Sequence, residues 1–178
     1  MPRIRTLGRI GIALLILGLF ARGQSVRSIR QGTEAEIKAA FLINFAKFVE
    51  WPSETSPGND FTICVAGADP FGQALDRAVE NEAIENKPVK VRYVPRWQND
   101  CRILFVGASD LDNSQFLAGV PPGVLTVGEQ PSFLLDGGMI ALVMEDQRVR
   151  FEVNLRAANR SSVHISSKLL DVARRVQK

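Results

Sequence analysis

Short β-rich runs alternate with helical stretches in the middle of this 178-residue chain, and this alternation limits the fold more than any other feature of the sequence. The first β-rich run covers 61–66, and a turn of small residues separates it from a helical stretch at 73–80. Later β-rich runs lie at 88–94, 102–106 and 124–127, with a helical stretch at 111–117. A strand, a turn and a helix form half of a βαβ unit. The pattern therefore predicts an α/β fold with a mostly parallel sheet and flanking helices.

The C-terminal part of the chain has a different pattern. Residues 139–144 and 149–155 are strand-like runs separated by four polar residues, which predicts an antiparallel hairpin. Ser166 or Ser167 is placed to cap a terminal helix. Its predicted apolar stripe consists of Leu169, Leu170, Ala173 and Val176. Residues 33–178 are thus predicted to form a single domain.

An amphipathic helix is predicted to open that domain. Thr33-x-x-Glu36 has the form of a capping box, and apolar residues then recur every three or four positions up to the stop at Trp51-Pro52. Residues 24–32, which are polar, are predicted to be a flexible segment. The helix and its end carry Phe41, Phe45, Phe48 and Trp51. This is more aromatic surface than one face of a small sheet needs, so we expect a dimer or partner contact here; the alternative is that all four belong to the core.

The first 23 residues are typical of a secretory signal. Three arginines precede an apolar run at 10–20, and Ala21 and Gly23 supply the small residues of a cleavage site. An uncleaved membrane anchor is the alternative, but eleven helical residues rise only about 16 Å, against a hydrocarbon core of about 30 Å. Residues 1–23 are therefore predicted to be a signal peptide that is cleaved near Gly23.

The charge balance argues against a nucleic-acid partner. The whole chain carries a formal charge of +3, but four of its 22 basic residues lie in the first 23 residues. Residues 24–178 hold the other 18 together with all 19 acidic residues, a net charge of −1. A nucleic-acid-binding domain needs a basic face, so we predict neither DNA nor RNA as a partner.

Cys64 and Cys101 are the two cysteines of the chain. Export brings them into an oxidising compartment, where paired cysteines normally form a disulfide; two buried free thiols are the alternative. Cys64 lies in the first predicted strand and Cys101 at the start of the third. In a doubly wound sheet with the strand order 2-1-3, the first and third strands are neighbours. A Cys64–Cys101 disulfide is therefore predicted.

Motifs for catalysis are missing from the sequence. His164 is the single histidine, and the serines beside it in sequence do not amount to the geometry of a catalytic triad. Two cysteines and one histidine are a poor zinc ligand set, so we predict no catalytic residue, no metal and no cofactor. Asp69, Phe71 and Gly72 follow the first strand, where α/β folds bind ligands. They form a candidate ligand loop, although Asp-Pro is also strong turn chemistry.

Several motifs, in this order along the chain, resemble the YfiR-like family of exported bacterial proteins. They are IKAAFL (37–42), NFAKFVEWP (44–52), ICV (63–65), DPFG (69–72), CRILF (101–105), GGMI (137–140), RVRFEVNL (148–155) and ISSKLL (165–170). The resemblance implies a periplasmic α/β domain, often dimeric. The best-understood members of the family restrain an inner-membrane diguanylate cyclase by binding its periplasmic part, which lowers cyclic di-GMP and biofilm formation.

Two departures from the family pattern affect what the resemblance implies. The family member that regulates a diguanylate cyclase carries a second cysteine pair, which this chain lacks. The resemblance therefore gives weaker support for a two-disulfide redox switch in this protein. Gln147 stands in the hairpin turn where Asp-Gly is common in relatives. We expect this change to affect turn geometry alone.

Three functions fit the sequence to different degrees. The first is a non-enzymatic periplasmic regulator, a homodimer, that binds an inner-membrane diguanylate cyclase or sensor protein. The second is a periplasmic small-molecule sensor or binding module that uses the strand ends near Asp69 and Ser109-Asp110. The third is a hydrolase, for which the sequence offers least. We expect the regulator.

Export makes a direct prediction about the mature chain. Because Ala21 and Gly23 satisfy the small-residue requirement of signal cleavage, N-terminal sequencing of periplasmic protein is expected to start at or near Gln24. Recovery of intact Met1 in a membrane fraction would contradict cleavage.

Overall fold

The computed structural model describes residues 25–51, 58–108 and 112–178, with side chains from residue 34 onwards. The predicted signal peptide and its cleavage site lie outside these residues, as does Ser109-Asp110. None of the helices in these ranges is both long enough and apolar enough to cross a bilayer.

Helices and strands alternate through the central part of the chain. The helices of the described ranges are α1 (Ser25–Phe48), α2 (Gln73–Val79), α3 (Asn113–Ala118), α4 (Leu155–Arg160) and α5 (Ser167–Asp171). The strands are β1 (Val49–Glu50), β2 (Phe61–Ala66), β3 (Ala83–Ile84), β4 (Lys87–Tyr93), β5 (Cys101–Val106), β6 (Leu125–Gly128), β7 (Ile140–Glu145), β8 (Arg148–Asn154), β9 (His164–Ile165) and β10 (Arg175–Gln177).

Eight of these strands form one sheet in the order β10-β8-β7-β6-β5-β2-β4-β3. Five neighbouring strands of this sheet, β7-β6-β5-β2-β4, are parallel to one another. β8 returns antiparallel to β7, and β10 lies parallel to β8 at the edge. The predicted α/β class, with its mostly parallel sheet and C-terminal hairpin, is confirmed.

Two terms are used below for the two ends of the parallel strands. The carboxyl edge is the side of the sheet where β2, β5 and β6 end, and the amino edge is the side where they begin.

The central strands explain why helices cover both faces of this sheet. Every residue of β2 and of β5 is buried, as expected for parallel strands that are packed on both sides. α1 and α2 cover one face, where Ile63 and Phe105 lie in the larger core cluster. Leu104 and Phe133 belong to a second cluster on the opposite face.

The first helix is longer than the capping box predicts. It begins at Ser25 rather than Thr33, so the helix start predicted from Thr33-x-x-Glu36 is wrong. The same four residues are compatible with a helix interior, and no proline interrupts residues 25–32. The helix therefore continues upstream of the local signal.

The C-terminal helix is shorter than its apolar stripe predicts. Ser166 caps it by accepting a hydrogen bond from the Leu169 N–H, but α5 ends at Asp171 and Val176 lies in β10. β10 pairs with β8 along its whole length. Backbone bonding to a neighbouring strand replaces the helix that the 3.6-residue spacing favours.

The hairpin between β7 and β8 turns through two residues with positive φ. Asp146 has φ 47° and Gln147 has φ 62°. This is the left-handed conformation of the tight hairpin turns in which Asn-Gly or Asp-Gly is preferred. Gln147 thus adopts a conformation that a glycine would reach at lower cost.

The predicted disulfide is confirmed. Cys64 of β2 and Cys101 of β5 are bonded, with their Cα atoms 5.6 Å apart. Both side chains are buried, at 0% and 2% exposure. The bond joins two neighbouring strands at the centre of the sheet, which is the arrangement that the strand order requires.

Loss of this bond is expected to destabilise the domain substantially. It closes a loop of 37 residues, and the chain-entropy model assigns such a loop about 4 kcal/mol. Denaturant titration of oxidised and fully reduced protein should show a difference of that order in the free energy of unfolding. Cys64→Ser is expected to resemble the reduced protein.

Mass spectrometry provides the independent check of the pairing. Folded protein treated with an alkylating reagent should gain no mass, and protein that is first denatured and reduced should gain two adducts. Two alkylated thiols on folded, unreduced protein would contradict the bond.

Candidate functional site

The carboxyl ends of β2 and β5 are where an α/β sheet of this order usually opens for a ligand. Here the loops that follow the two strands touch through their backbones. The Ala68 N–H donates to the Ala108 carbonyl at 2.9 Å, and the Gly107 N–H donates to the Ala66 carbonyl at 2.8 Å. A Cβ atom at Gly107 would lie 1.8 Å from the Ala68 oxygen. Glycine permits this approach, which closes the crevice at that point.

The predicted ligand loop has the contacts of a turn. Asp69 Oδ1 accepts a hydrogen bond from the Phe71 N–H at 2.8 Å, as in an Asx turn. The Phe71 ring is buried with its centroid 4.7 Å from that of Phe105. Gly72, with φ 53°, leads into α2. These contacts engage the three residues within the fold, and a ligand role for them remains a prediction.

A tyrosine and two carboxylates lie beside this turn. The Tyr93 hydroxyl at the end of β4 donates to Asp76 Oδ2 of α2 at 3.1 Å. Desolvation, followed by the negative charges of Asp69 and Asp76 and the hydrogen bond to Asp76, raises the pKa of Tyr93 to about 12. The phenol is therefore a proton donor throughout the physiological range.

A buried lysine joins α1 to the carboxyl edge. Lys38 Nζ lies 2.7 Å from Glu34 Oε1 and 2.6 Å from Glu129 Oε2, and the residue is only 8% exposed. Burial lowers the pKa of Lys38, but the hydrogen bonds to Glu129 and Glu34 outweigh it and raise the pKa overall. The Glu34-Lys38 spacing is visible in the sequence as an i,i+4 pair. Glu129 is 91 residues away, and no local pattern indicates it.

The residue after Glu129 completes this arrangement. Gln130 donates from Nε2 to the Gly107 carbonyl at 2.5 Å. This bond ties the end of β6 to the end of β5. Gln130 Oε1 is buried without a hydrogen-bond partner among the described residues. The carboxyl edge is thus held by side chains from α1 and from two strand ends.

The four aromatic residues of the predicted contact surface do not share one environment. Phe45 is fully buried, and Phe41 packs on it with ring centroids 5.7 Å apart. Trp51 meets Phe61 edge to face at 5.3 Å. Phe48 is 40% exposed. Three of the four side chains therefore pack within the domain, and Phe48 presents its ring to the outside.

Phe48 is not alone on the outer side of α1. Ile37, eleven residues earlier, is 39% exposed. Phe41 and Asn44 lie between them at spacings of four and seven residues from Ile37, so all four positions follow one helix face. We call this face the α1 outer face. Three of its four residues are apolar, and Ile37, Asn44 and Phe48 are exposed.

The segment around His164 contains no assembled catalytic group. His164 lies exposed in β9, where it pairs with Glu50 of β1. The Ser166 hydroxyl caps α5. Among the residues that the structure describes, no three His, Cys, Asp or Glu side chains come together as a metal site would require.

An ion cluster that no sequence signal indicated ties β10 to the hairpin. Glu152 is 3% exposed and its carboxylate pairs with both Arg174 and Arg175. The Arg174 Nε atom also lies 2.6 Å from Glu145 Oε1. A buried carboxylate needs such partners to remain charged. Glu152 can pair with these arginines because β10 lies beside β8 in the sheet.

These features define a small α/β domain with a closed crevice, an internal disulfide and an open helix face. The model of the YfiR/HmsC-like family matches residues 35–174. The match covers most of the chain, and the protein belongs to this family.

Two solved structures are similar to this chain, and the first of them supports the fold. A conserved domain protein from Vibrio cholerae O1 biovar eltor str. N16961 superposes with a TM-score of 0.51 at 8% identity, over 80% of this chain and 60% of the other. An ABC domain in complex with L-Trp from Streptococcus pneumonia gives a TM-score of 0.46 at 10% identity, over 81% of this chain and 60% of the other. The chain thus spans about three fifths of the length of either structure. At 8% identity the first likeness concerns the fold alone.

The raised pKa of Tyr93 can be measured directly, because the chain has a single tyrosine. Absorbance at the tyrosinate band is expected to titrate with a midpoint of about 12 rather than the ordinary tyrosine value of 10.0. The neutral phenol stabilises the fold fully below pH 10.0, and this contribution is lost as the pH rises towards about 12.

Asp76→Asn separates the causes of that shift. Desolvation is the largest cause, so the variant should lower the midpoint while keeping it above the value of the unfolded chain. Asp112→Asn, at the cap of α3, serves as a charge-matched control and should leave the titration unchanged. A wild-type midpoint at the ordinary value, with the fold shown intact by circular dichroism, would contradict the raised pKa of Tyr93.

Proposed function

We propose that this protein is a periplasmic regulator that binds the periplasmic part of an inner-membrane diguanylate cyclase and restrains it. Restraint lowers cyclic di-GMP and with it biofilm formation. The observation that carries the proposal is membership of the YfiR/HmsC-like family over residues 35–174. Regulation by binding requires a surface rather than a reacting group.

The proposed function requires that the protein be exported to the periplasm, and both the sequence and the disulfide support export. The first 23 residues have the layout of a signal peptide. Cys64 and Cys101 are paired at the centre of the sheet, and such bonds persist in exported proteins. Periplasmic location is therefore part of the proposal.

The α1 outer face is the proposed contact surface. Phe48 and Ile37 expose 40% and 39% of their surface there. Phe41 rests between the core and solvent, with its ring 5.5 Å from Phe151. Phe45 and Trp51 support this face from within through their packing on Phe41 and Phe61. The face is proposed to contact the cyclase or, in the homodimer, a second copy of the chain.

The closed carboxyl edge favours the regulator over the small-molecule sensor. Asp69 accepts a hydrogen bond from the Phe71 N–H, and the Phe71 ring packs on Phe105. The backbones after β2 and β5 are bonded to each other. A ligand at this point would have to separate Ala68 from Ala108. A partner on the α1 outer face needs no such opening.

Deletion of the gene tests the function. Cyclic di-GMP and biofilm are expected to rise in the deletion strain, and to remain at the wild-type level when the partner cyclase gene is deleted as well. This dependence on the cyclase distinguishes restraint from a general effect on growth. Unchanged cyclic di-GMP in the single deletion under several growth conditions would contradict the proposal and favour the sensor.

Complementation with variants tests the surface. Phe48→Ser should restore repression less well than the wild type, because it removes an exposed ring from the α1 outer face. Met144→Ser is the matched control, since Met144 is 51% exposed on β7. Equal repression by both variants would exclude Phe48 from the contact, and sedimentation of the two proteins would show whether the face also joins two copies.

A further inference from the structure

The exposed stripe of α1 is wider than the α1 outer face. Glu36, Ala40 and Lys47 are exposed as well, and with 3.6 residues per turn they lie along one side of that face. We call these three residues the polar flank. Ile37 and Phe48 lie on the other side of the stripe. The helix therefore presents two parallel rows to the outside, one polar and one apolar.

The two rows match themselves when a second α1 lies antiparallel to the first. Glu36 and Lys47 are eleven residues apart, and so are Ile37 and Phe48. Both pairs are centred within one residue of position 42, so a single two-fold axis beside this position relates them. Such an axis keeps the two polar flanks on the same side of the helix pair. Glu36 then faces Lys47 of the second copy, and Ile37 faces Phe48 of the second copy.

The middle of the stripe is suited to a close approach of two helices. Ala40 and Asn44 are also centred on position 42, so each would lie opposite the other residue of the second copy. The small Ala40 side chain leaves room for the amide, and the distance between packed helices depends on the side chains at their contact. Phe41 is held in place by its packing on Phe45 and Phe151. The surface is thus formed before a second copy arrives.

The charges of the polar flank favour the antiparallel direction. A parallel pair would place Glu36 beside Glu36 and Lys47 beside Lys47, and like charges at a helix contact are destabilising. Glu36 takes part in none of the salt bridges of the described residues. Lys47 Nζ lies 2.9 Å from Glu82 Oε2. An ammonium group has three donors, so Lys47 can bind this carboxylate and one from a second copy.

We infer that the α1 outer face and the polar flank join two copies of this chain, with their α1 helices antiparallel about a two-fold axis beside position 42. The inference rests on the contact surface of the proposed function and assigns that surface to a second copy. The stretch from Glu36 to Phe48 rises about 18 Å. This contact is short, so we expect a dimer that dissociates at roughly micromolar concentration.

Sedimentation equilibrium of the purified exported protein, without a cyclase, tests the inference. Lys47→Glu places two carboxylates opposite each other at both ends of the helix pair and should raise the dissociation constant about tenfold. Glu36→Lys combined with Lys47→Glu restores opposite charges between copies and should return the constant towards the wild-type value. Both proteins lose the ion pair of Lys47 with Glu82, so their difference reports the contact between copies. Within one helix the two positions lie roughly 16 Å apart, too far for a rescue inside one copy.

Lys90→Glu is the matched control because it makes the same change of charge as Lys47→Glu. Lys90 is exposed on β4. Val89 and Val91 on either side of it pack in the core cluster that α1 covers, so Lys90 faces away from α1. The control should dimerise like the wild type. Equal circular dichroism spectra and unfolding midpoints would show that the four proteins have the same fold.

Three results would overturn the inference: a wild-type protein that is monomeric throughout the micromolar range, a Lys47→Glu variant that dimerises like the wild type, or a charge swap that dimerises no better than Lys47→Glu. The deletion strain tests the cyclase separately. A monomeric wild type that restrains cyclic di-GMP would overturn the inference and leave the proposed function standing. Rescue by the charge swap, with unchanged cyclic di-GMP in the deletion strain, would support the inference and contradict the proposed function.

Discussion

Burial of the two central strands on both faces is the constraint on which the rest of this structure depends. All twelve positions of β2 and β5 are buried, and burial of so much backbone requires that each of these two strands have a hydrogen-bonded neighbour on both sides. β4 and β6 provide these neighbours. α1 and α2 then cover one face, and Phe133 with its surroundings covers the other. The disulfide lies within this arrangement and adds a covalent link between the same two strands.

The two edges of the sheet differ in chemistry because different elements end there. At the carboxyl edge Lys38 pairs with Glu34 and Glu129, and Gln130 donates from Nε2 to the Gly107 carbonyl. These bonds hold α1 and the strand ends together and leave little space between β2 and β5. At the amino edge Arg156 and Arg160 of α4 take part in none of the salt bridges of the described residues. The domain is therefore tightly bonded at the edge where enzymes of this architecture bind substrates, and open on the α1 outer face and at the amino edge.

Much of the fold could be predicted because the relevant signals are local. The strand at 61–66 and the helix that follows it are recognisable from a few adjacent residues, and β2 has the predicted bounds. The disulfide followed from the strand order together with export. The predicted helix start at Thr33 and the predicted helical state of Val176 are wrong. In both cases the adjoining segment, upstream in sequence for Thr33 and across the sheet for Val176, outweighs the local sequence pattern. β10 is a strand only because β8 offers it hydrogen-bond partners.

For the surfaces, the sequence determined composition and the tertiary structure decided exposure. The aromatic residues of α1 are evident from spacing alone, but periodicity cannot distinguish Phe45, which is fully buried, from Phe48, which is 40% exposed. Likewise the sequence places four arginines in residues 148–160, and only pairing across strands shows which cations have partners. Glu152 pairs with Arg174 and Arg175 across more than twenty residues, whereas Arg156 and Arg160 take part in none of the salt bridges of the described residues. The physical reason is that residue type and local periodicity are properties of the chain, while burial and ion pairing depend on which distant segment comes to lie alongside.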